Sequence, residues 1–255
     1  MTRASENTST RLHQLALAFG LAIAFVLMFN APAGAQSLSL DFGGETTTTS
    51  RIVQLIALLT VLSLAPSIII MVTSFTRIVV VLAFLRSAIG TQQTPPNTVI
   101  VSLALFLTAF VMAPTFEAAY EQGIEPLINE EITQTEAFER SMAPVKVFMI
   151  EHVRDQDLRL FLDLAEIEAI EGPEATPLRA LVPAFMISEL RRAFEIGFLL
   201  FIPFVIIDMV VASILMSMGM MMLPPIMISL PFKLIFFVLV DGWYLVAGSL
   251  VQSFG

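Results

Sequence analysis

Long apolar runs, interrupted by a few charges and prolines, set the pattern of this chain. The clearest run covers residues 203–237, which are apolar almost throughout yet contain Asp208, Lys233 and several methionines. Because about 20 apolar residues suffice to cross a bilayer, this run predicts two membrane-type helices. Gly219 and the prolines at 224 and 225 break the helical pattern. We therefore expect a hairpin with a methionine-rich tip and one charge on each arm.

Residues 52–85 form a second apolar run, which is too long for one span. Pro66 and Arg77 interrupt it, and an arginine at the centre of a bilayer costs at least about 2.5 kcal/mol. The pattern predicts a first helix to about Met71, a break, and a second segment that carries Arg77 and Arg86. By the positive-inside rule, these arginines place their end of the segment on the cytoplasmic side.

The next span follows a loop. Residues 90–97 contain two consecutive prolines that bar a helix, and Asn97 is suited to cap the helix that follows. Residues 99–113 then predict a span that ends at Pro114. The span reaches normal length if residues 115–119 continue it.

The C-terminal part predicts one amphipathic helix, over residues 181–197, and two spans, over residues 198–217 and 226–250. Asp208 lies in the middle of the first span. An unpaired carboxylate there would be costly, so its side chain should face protein or water. Lys233 and Arg77 are both suitable partners, and the sequence does not choose between them.

Charges close to the membrane edge call for fixed partners. Glu195 follows Arg191 and Arg192 by four and three positions, so these residues can pair on one helix face. Together with Glu189 they predict either a charged helix at the membrane edge or ion pairs between subunits. Arg77 has the same two interpretations: its side chain either reaches the membrane surface or meets a buried partner in another subunit.

The N-terminal 35 residues have the pattern of a secretory signal. Two arginines precede a short apolar run at residues 15–29, and Ala-Gly-Ala at 33–35 resembles a cleavage site. The competing interpretation is an uncleaved first span. Residues 36–50 are polar and predict a linker.

Most of the acidic residues lie between Glu117 and Glu174, so the net charge of −9 belongs largely to one region. Apolar residues recur at helical spacing around residues 154–170. One span separates this region from the cytoplasmic arginines, which places it outside the cytoplasm. A solvated surface is the expected role of its charge, because the spacing of a calcium-binding loop is missing. The lone His152 is expected at the surface.

Composition favours a membrane protein, since 56% of the residues are hydrophobic and 14% are charged, against roughly 25% charged in soluble domains. The chain has no cysteine, which excludes disulfides, zinc–thiolate sites and thiol catalysis. No basic cluster of the kind that binds nucleic acid is present. No HExxH, GxSxG or P-loop motif occurs, so we expect neither an enzyme nor a metal or cofactor site.

The predicted fold is therefore an all-α membrane protein, with about four long, broken hydrophobic helices in hairpins and an acidic helical insert outside the cytoplasm. The predicted domains are a signal peptide (1–35), a linker (36–50), a first hairpin (51–116), an acidic periplasmic helical domain (117–182) and a second hairpin with the methionine-rich tip (183–255).

Three stretches together resemble one family. They are FTRIVVVLAFLRSAIGTQQTPPN (75–97), PAFMISELRRAFEIGF (183–198) and PFVIIDMVVASILMSMGMMMLPP (203–225). They are similar to the FliP family, the P subunits of the flagellar type III protein export gate, which has relatives in injectisomes. The resemblance covers residues 52 to 255. The signal peptide and the long acidic insert fit the flagellar branch.

The resemblance implies a helical gate in which about five copies wind together with the FliQ and FliR subunits, since a contact that does not close flat generates a helix. It implies a place in the bacterial inner membrane, in the flagellar basal body, with further export subunits as partners. The cargo would be unfolded flagellar protein. Within such an assembly, apolar helices can contact other subunits rather than lipid.

The resemblance also assigns a gasket role to Met220, Met221 and Met222. Methionine is unbranched and polarizable and repacks easily, so a collar of methionines can close on itself or around an unfolded chain of any sequence. A dry apolar constriction resists water and ions. The plainer interpretation is that these methionines fill a core.

An alternative function is a secondary transporter or ion channel that uses Asp208 as its proton or cation site, since an intramembrane carboxylate is a functional candidate. Matching inverted repeats with broken helices, which many transporters have, are not visible in the sequence.

Overall fold

A computed structural model describes residues 48–91, 93–167, 172, 175–220 and 223–255. The predicted signal peptide and most of the predicted linker lie outside the described residues, as do Met221 and Met222. Residues Leu55–Gly255 form one compact unit.

Every regular element among the described residues is helical, as the sequence predicts. The helices, in chain order, are α1 (Thr48–Val72), α2 (Phe75–Ile89), α3 (Asn97–Ala119), a π-helical turn (Tyr120–Ile124), α4 (Glu125–Ile128), α5 (Gln134–His152), α6 (Asp155–Leu164), α7 (Leu178–Ser217), α8 (Pro225–Leu239) and α9 (Gly242–Gln252).

Local sequence signals explain several helix ends. α2 stops at Gly90, whose φ of 87° is a left-handed conformation that glycine adopts at low cost. α5 starts at Thr133, whose side chain accepts a hydrogen bond from the backbone N–H of Glu136, the first half of a capping box. α3 begins directly after Pro96, so Asn97 is the first helical residue and not the predicted cap. Its side-chain oxygen instead accepts a hydrogen bond from Arg86.

Prolines do not end the long helices. α3 continues through Pro114, so the predicted end of the span there was wrong, and the predicted extension over residues 115–119 is confirmed. α7 runs for 40 residues through Pro183 and Pro203, which joins the predicted amphipathic helix and the predicted span into one rod. Packing along these helices offsets the loss of single backbone hydrogen bonds.

Two apolar clusters form the core of the unit that spans Leu55–Gly255. The first surrounds α2, whose Ile78, Val81 and Leu85 are fully buried, and takes further side chains from α3, α7, α8 and α9. The second brings Met112 of α3, Met149 of α5 and residues of α7 together. Helices from the acidic region thus pack directly on the long apolar helices.

Within the part of the chain that the structure describes, three helices are long and apolar enough to cross a membrane, judged by length and composition. They include residues Leu55–Val72 of α1, the stretch Asn97–Ile128, and α7. The pair α8–α9 is apolar enough for a fourth crossing but bends by 63° between its two helices. The bend contains Asp241, at a φ of 50°. The predicted fold class is therefore confirmed for the described residues.

Candidate functional site

The hairpin formed by α7 and α8 has a tip whose shape depends on glycine and proline. Gly219 has a φ of 76°, and its N–H bonds to the carbonyl of Met216, while the N–H of Met220 bonds to the carbonyl of Leu215. This double hydrogen bond is a Schellman motif, which ends a helix and reverses the chain. Pro225 then starts α8, at a helix position where a missing N–H is tolerated.

Methionine side chains are exposed around this tip. Met220 is 41% exposed, and three further methionines near it, Met216, Met218 and Met227, are exposed by 59%, 66% and 67%. Large apolar side chains normally avoid such exposure, and a cluster of them marks a surface that meets another molecule or lipid. Three of these exposed methionines, Met216, Met218 and Met227, lie outside the run that the sequence pattern singled out.

The two arms of the hairpin are joined by an ion pair. Nζ of Lys233 on α8 lies 2.7 Å from Oδ2 of Asp208 on α7, and the hydroxyl of Ser229 donates to Oδ1 of Asp208 at 2.6 Å. Lys233 also donates to the carbonyl of Ala88 at 3.3 Å, near the C-terminal end of α2, where the helix dipole favours a cation. We call Asp208, Ser229 and Lys233 the hairpin clamp. Of the two partners considered for Asp208, the structure selects Lys233.

A second ion pair lies between α2 and α7. Arg77 donates from Nε to Oε2 of Glu189 at 2.8 Å and from Nη2 to Oε1 at 2.5 Å, and the side chains are 1% and 0% exposed. The buried partner of Arg77 is thus in the same chain. The geometry is the two-point contact that a guanidinium group makes with a carboxylate.

The C-terminal residues complete the surroundings of Arg77. Its Nη1 donates to the carbonyl and the hydroxyl oxygen of Ser253 at 2.9 and 3.0 Å. The guanidinium carbon lies 3.6 Å from the centre of the Phe254 ring, a favourable position for a cation over an aromatic face. Sequence reasoning missed Ser253 and Phe254, because nothing in the local pattern links them to a residue about 175 positions earlier.

The remaining predicted charges are nearer the surface. Arg86 joins α2 to the start of α3 through the side chain of Asn97, and it also donates to the carbonyl of Pro95 in the intervening loop. Arg191 and Glu195 form the predicted pair one turn apart, at 2.9 Å, with both side chains more than half exposed. Arg192 is half-buried. Surface pairs of this kind contribute little to stability.

Residue His152 is buried, at 8% exposure, so the prediction of a surface position was wrong. Its ring packs between Phe148 and Phe254, at centroid distances of 4.4 and 5.4 Å. Phe254 is 102 positions away in the sequence, and periodicity within the acidic region gives no sign of that contact.

A third polar cluster connects α6 with α7. Arg154 binds both carboxylate oxygens of Asp157, and the hydroxyl of Ser188 donates to Oδ2 of Asp157 at 2.6 Å. Burial raises the pKa of Asp157, but the hydrogen bonds from Ser188 and Arg154 and the charge of Arg154 outweigh it, so that pKa lies below its ordinary value. Within the described residues, no group of three histidine, cysteine or acidic side chains could hold a metal ion.

Comparison with known proteins identifies the family of this chain. A sequence model of the FliP family matches residues 58–250. The flagellar biosynthetic protein FliP of Caulobacter vibrioides is 63% identical over 233 residues, which cover 91% of this chain and 88% of that protein. The protein of the same name from Rhizobium meliloti is 52% identical over 93% of this chain and 99% of its own length. The protein of the same name from Bacillus subtilis is 57% identical over 80% of this chain and 93% of its own length. The chain therefore belongs to the FliP family, to which its three sequence motifs point.

Proposed function

We propose that this chain is a pore-forming core subunit of the flagellar type III protein export gate, which passes unfolded flagellar proteins across the inner membrane. Membership of the FliP family and relatives named as flagellar biosynthetic proteins support a role in flagellum biogenesis and protein transport. The observation that carries the gate itself is the hairpin tip, where exposed methionines follow a helix end fixed by Gly219.

In the proposed mechanism, tips from several copies meet around a narrow passage. Their thioether side chains close it by apolar contact, and because methionine repacks at low cost, they also yield to an extended polypeptide. Water and ions find no polar group to replace their hydration in such a constriction. Met220, Met221 and Met222 are the proposed gasket.

The hairpin clamp gives the tip a fixed support in this proposal. Lys233 joins α8 to α7 through Asp208 and to α2 through the carbonyl of Ala88. The tip is thus attached to the core at a point nine residues before the end of α7 (Asp208 to Ser217). A gasket needs such an anchor, because a passing chain pushes against it.

The proposed assembly contains about five copies of this chain with FliQ and FliR subunits, in the inner membrane and the flagellar basal body, with the acidic region on the periplasmic side. The abundance of exposed apolar side chains on α1, α7 and α8 supports burial against lipid or against other subunits. Arg86, Arg191 and Arg192 remain candidates for contacts between subunits.

Replacing Met220, Met221 and Met222 together with alanine tests the gasket. We expect the complex to assemble with its FliQ and FliR partners and to leak small ions, because alanine side chains are too short to fill the constriction. The matched control is Met209→Ala, at an exposed methionine of α7 away from the tip, which should stay tight. A triple variant that stays tight and exports normally would refute the gasket.

The transporter alternative is tested by Asp208→Asn. Both carboxylate oxygens of Asp208 are already engaged, by Lys233 and Ser229, which supports a structural role rather than a site that binds and releases a cation. A carrier would lose ion coupling while its assembly remained intact. A gate subunit would show either an assembly defect or almost no effect.

A further inference from the structure

The imidazole of His152 lies between two backbone carbonyl oxygens. Nδ1 is 2.8 Å from the carbonyl oxygen of Phe148, one turn earlier in α5, and Nε2 is 3.2 Å from the carbonyl oxygen of Phe254. A carbonyl oxygen can only accept a hydrogen bond. Both contacts are therefore hydrogen bonds only when both ring nitrogens carry a proton.

A neutral imidazole cannot satisfy this geometry. It has one N–H group, and the lone pair of its other nitrogen faces a carbonyl oxygen at hydrogen-bonding distance. The ring is 8% exposed, so little water can intervene. Removing one proton converts one of the two attractive contacts into a repulsive one.

The position of His152 relative to helix ends adds to this preference. His152 is the last residue of α5, and Phe254 lies just beyond the end of α9. The C-terminal end of a helix carries a partial negative charge from its unpaired carbonyl groups. A cation at this place interacts favourably with the ends of two helices at once.

We propose that His152 is a pH-sensitive latch: in its doubly protonated form it holds Ser253 and Phe254 on α5 and over Arg77, and loss of one proton loosens them. We call Ser253 and Phe254 the latch segment. The segment has two functions in the fold, since it accepts hydrogen bonds from Arg77 and its aromatic ring covers the guanidinium group. Protonation of one histidine in the acidic region is thus connected to the buried ion pair between α2 and α7.

The other charges near the latch are either paired or exposed to solvent. From α2, Arg77 contacts the same Phe254 ring and is neutralised by Glu189 of α7. From the start of α6, Arg154 and Asp157 bind each other. Glu151, the preceding residue on α5, is exposed. The pH response of the latch is therefore expected to depend on His152, whose two ring nitrogens each face a carbonyl oxygen.

The natural absence of cysteine allows a direct test on the full-length chain in detergent. Gly255→Cys adds a single thiol beside the latch segment, at a position with nothing within 4 Å of a new Cβ atom. A nitroxide attached there at one fixed pH then reports mobility by electron paramagnetic resonance between pH 5 and 8. We expect the ratio of mobile to immobile label to rise with pH, on the order of tenfold, as one charge-assisted hydrogen bond is lost.

The matched variant is His152→Gln in the Gly255→Cys background, because glutamine is polar and of similar size but does not gain a proton in this range. It should show no change in label mobility with pH. The same pH response with and without His152 would overturn the latch, as would a pH-independent label in the chain that keeps His152.

A second measurement needs no change at His152. The chain contains only two histidines, His13 and His152, so ¹⁵N-labelled histidine gives two imidazole signals in a magnetic resonance spectrum, and His13→Gln identifies which is which. The proposal requires both ring nitrogens of His152 to be protonated at acidic pH, and one proton to leave over the same pH interval in which the spin label becomes mobile. Titration in a different interval would refute the proposal.

Discussion

The side chains of Arg77 and Glu189 join α2 to α7 through two hydrogen bonds, although 112 positions separate them in the sequence. Neither side chain is more than 1% exposed. Removing one member of such a pair leaves a charge in surroundings that do not hydrate it, and this is more damaging than the absence of the whole pair.

Arg77→Met should therefore destabilise the chain strongly, by about 3–5 kcal/mol, because Glu189 keeps its charge and loses its partner. Adding Glu189→Leu should restore much of that loss. Denaturant unfolding in detergent micelles, followed by the fluorescence of Trp243, the only tryptophan, provides the measurement. Arg191→Met is the control: its pair with Glu195 is exposed and should be worth at most about 1 kcal/mol. Equal losses in Arg77→Met and Arg191→Met would contradict this prediction.

The hairpin clamp predicts an asymmetry between its two ends. Lys233 is 7% exposed at its side chain and Asp208 is 33% exposed, so water can hydrate an unpaired Asp208 better than an unpaired Lys233. Asp208→Leu should cost about 3–5 kcal/mol, and Lys233→Met should cost less, about 1–3 kcal/mol. The same unfolding assay measures both single variants and the double variant. The loss of stability in the double variant should be smaller than the sum of the two single losses. A larger loss for Lys233→Met would show that exposure does not govern the clamp.

Two glycines predict opposite effects of the same substitution. A Cβ atom at Gly123 would lie 2.6 Å from the carbonyl oxygen of Ala137 and 2.7 Å from the backbone nitrogen of Ser141. Gly123→Ala should therefore push α5 away and cost about 1–3 kcal/mol. Gly248, inside α9, has nothing within 4 Å of a new Cβ atom, so Gly248→Ala should stabilise by up to about 1 kcal/mol. Unfolding midpoints that shift in the same direction would count against the close packing at Gly123.

The lowered pKa of Asp157 predicts a loss of stability in acid. A carboxyl group with a lower pKa in the folded chain than in the unfolded chain contributes its stabilisation above the unfolded value, about 3.9. The contribution disappears as the pH falls through the folded-state pKa. Asp157→Asn should flatten this acid-dependent part of the stability curve, below the ordinary pKa of an aspartate. Ser188→Ala, which removes one hydrogen bond to the carboxylate, should move the loss toward higher pH, and an unchanged curve in both variants would disprove the assignment.

Sequence patterns predict the helices well where apolar length and strong helix breakers agree. The end of α1 near Met71 and the hairpin turn after Ser217 follow from the length of a span and from Gly219 with two prolines. The rule that a proline ends a helix fails at Pro114, since α3 continues through it to Ala119. Local preference is weaker than packing in such a helix.

Partner choice among buried charges is the part that the sequence leaves open. Because Arg77 and Asp208 lie in apolar stretches, each is expected to need a partner. The sequence alone does not identify that partner. Lys233 and Arg77 both suit Asp208 from the sequence alone, and only the packing of α2, α7 and α8 decides which carboxylate meets which base. The burial of His152 is not predictable from the sequence for the same reason, because it depends on where Phe254 lies in the fold.

The carboxylates of both ion pairs that join α7 to its neighbours, Glu189 and Asp208, lie on that one helix. α7 carries Glu189 and Asp208, 19 residues or roughly 28 Å apart at 1.5 Å per residue, while their bases come from α2 and α8. Sliding α7 along its axis by one turn, about 5.4 Å, would separate both ion pairs at once. Displacement of the methionine tip along the axis of α7 would therefore break two ion pairs whose bases lie on different helices.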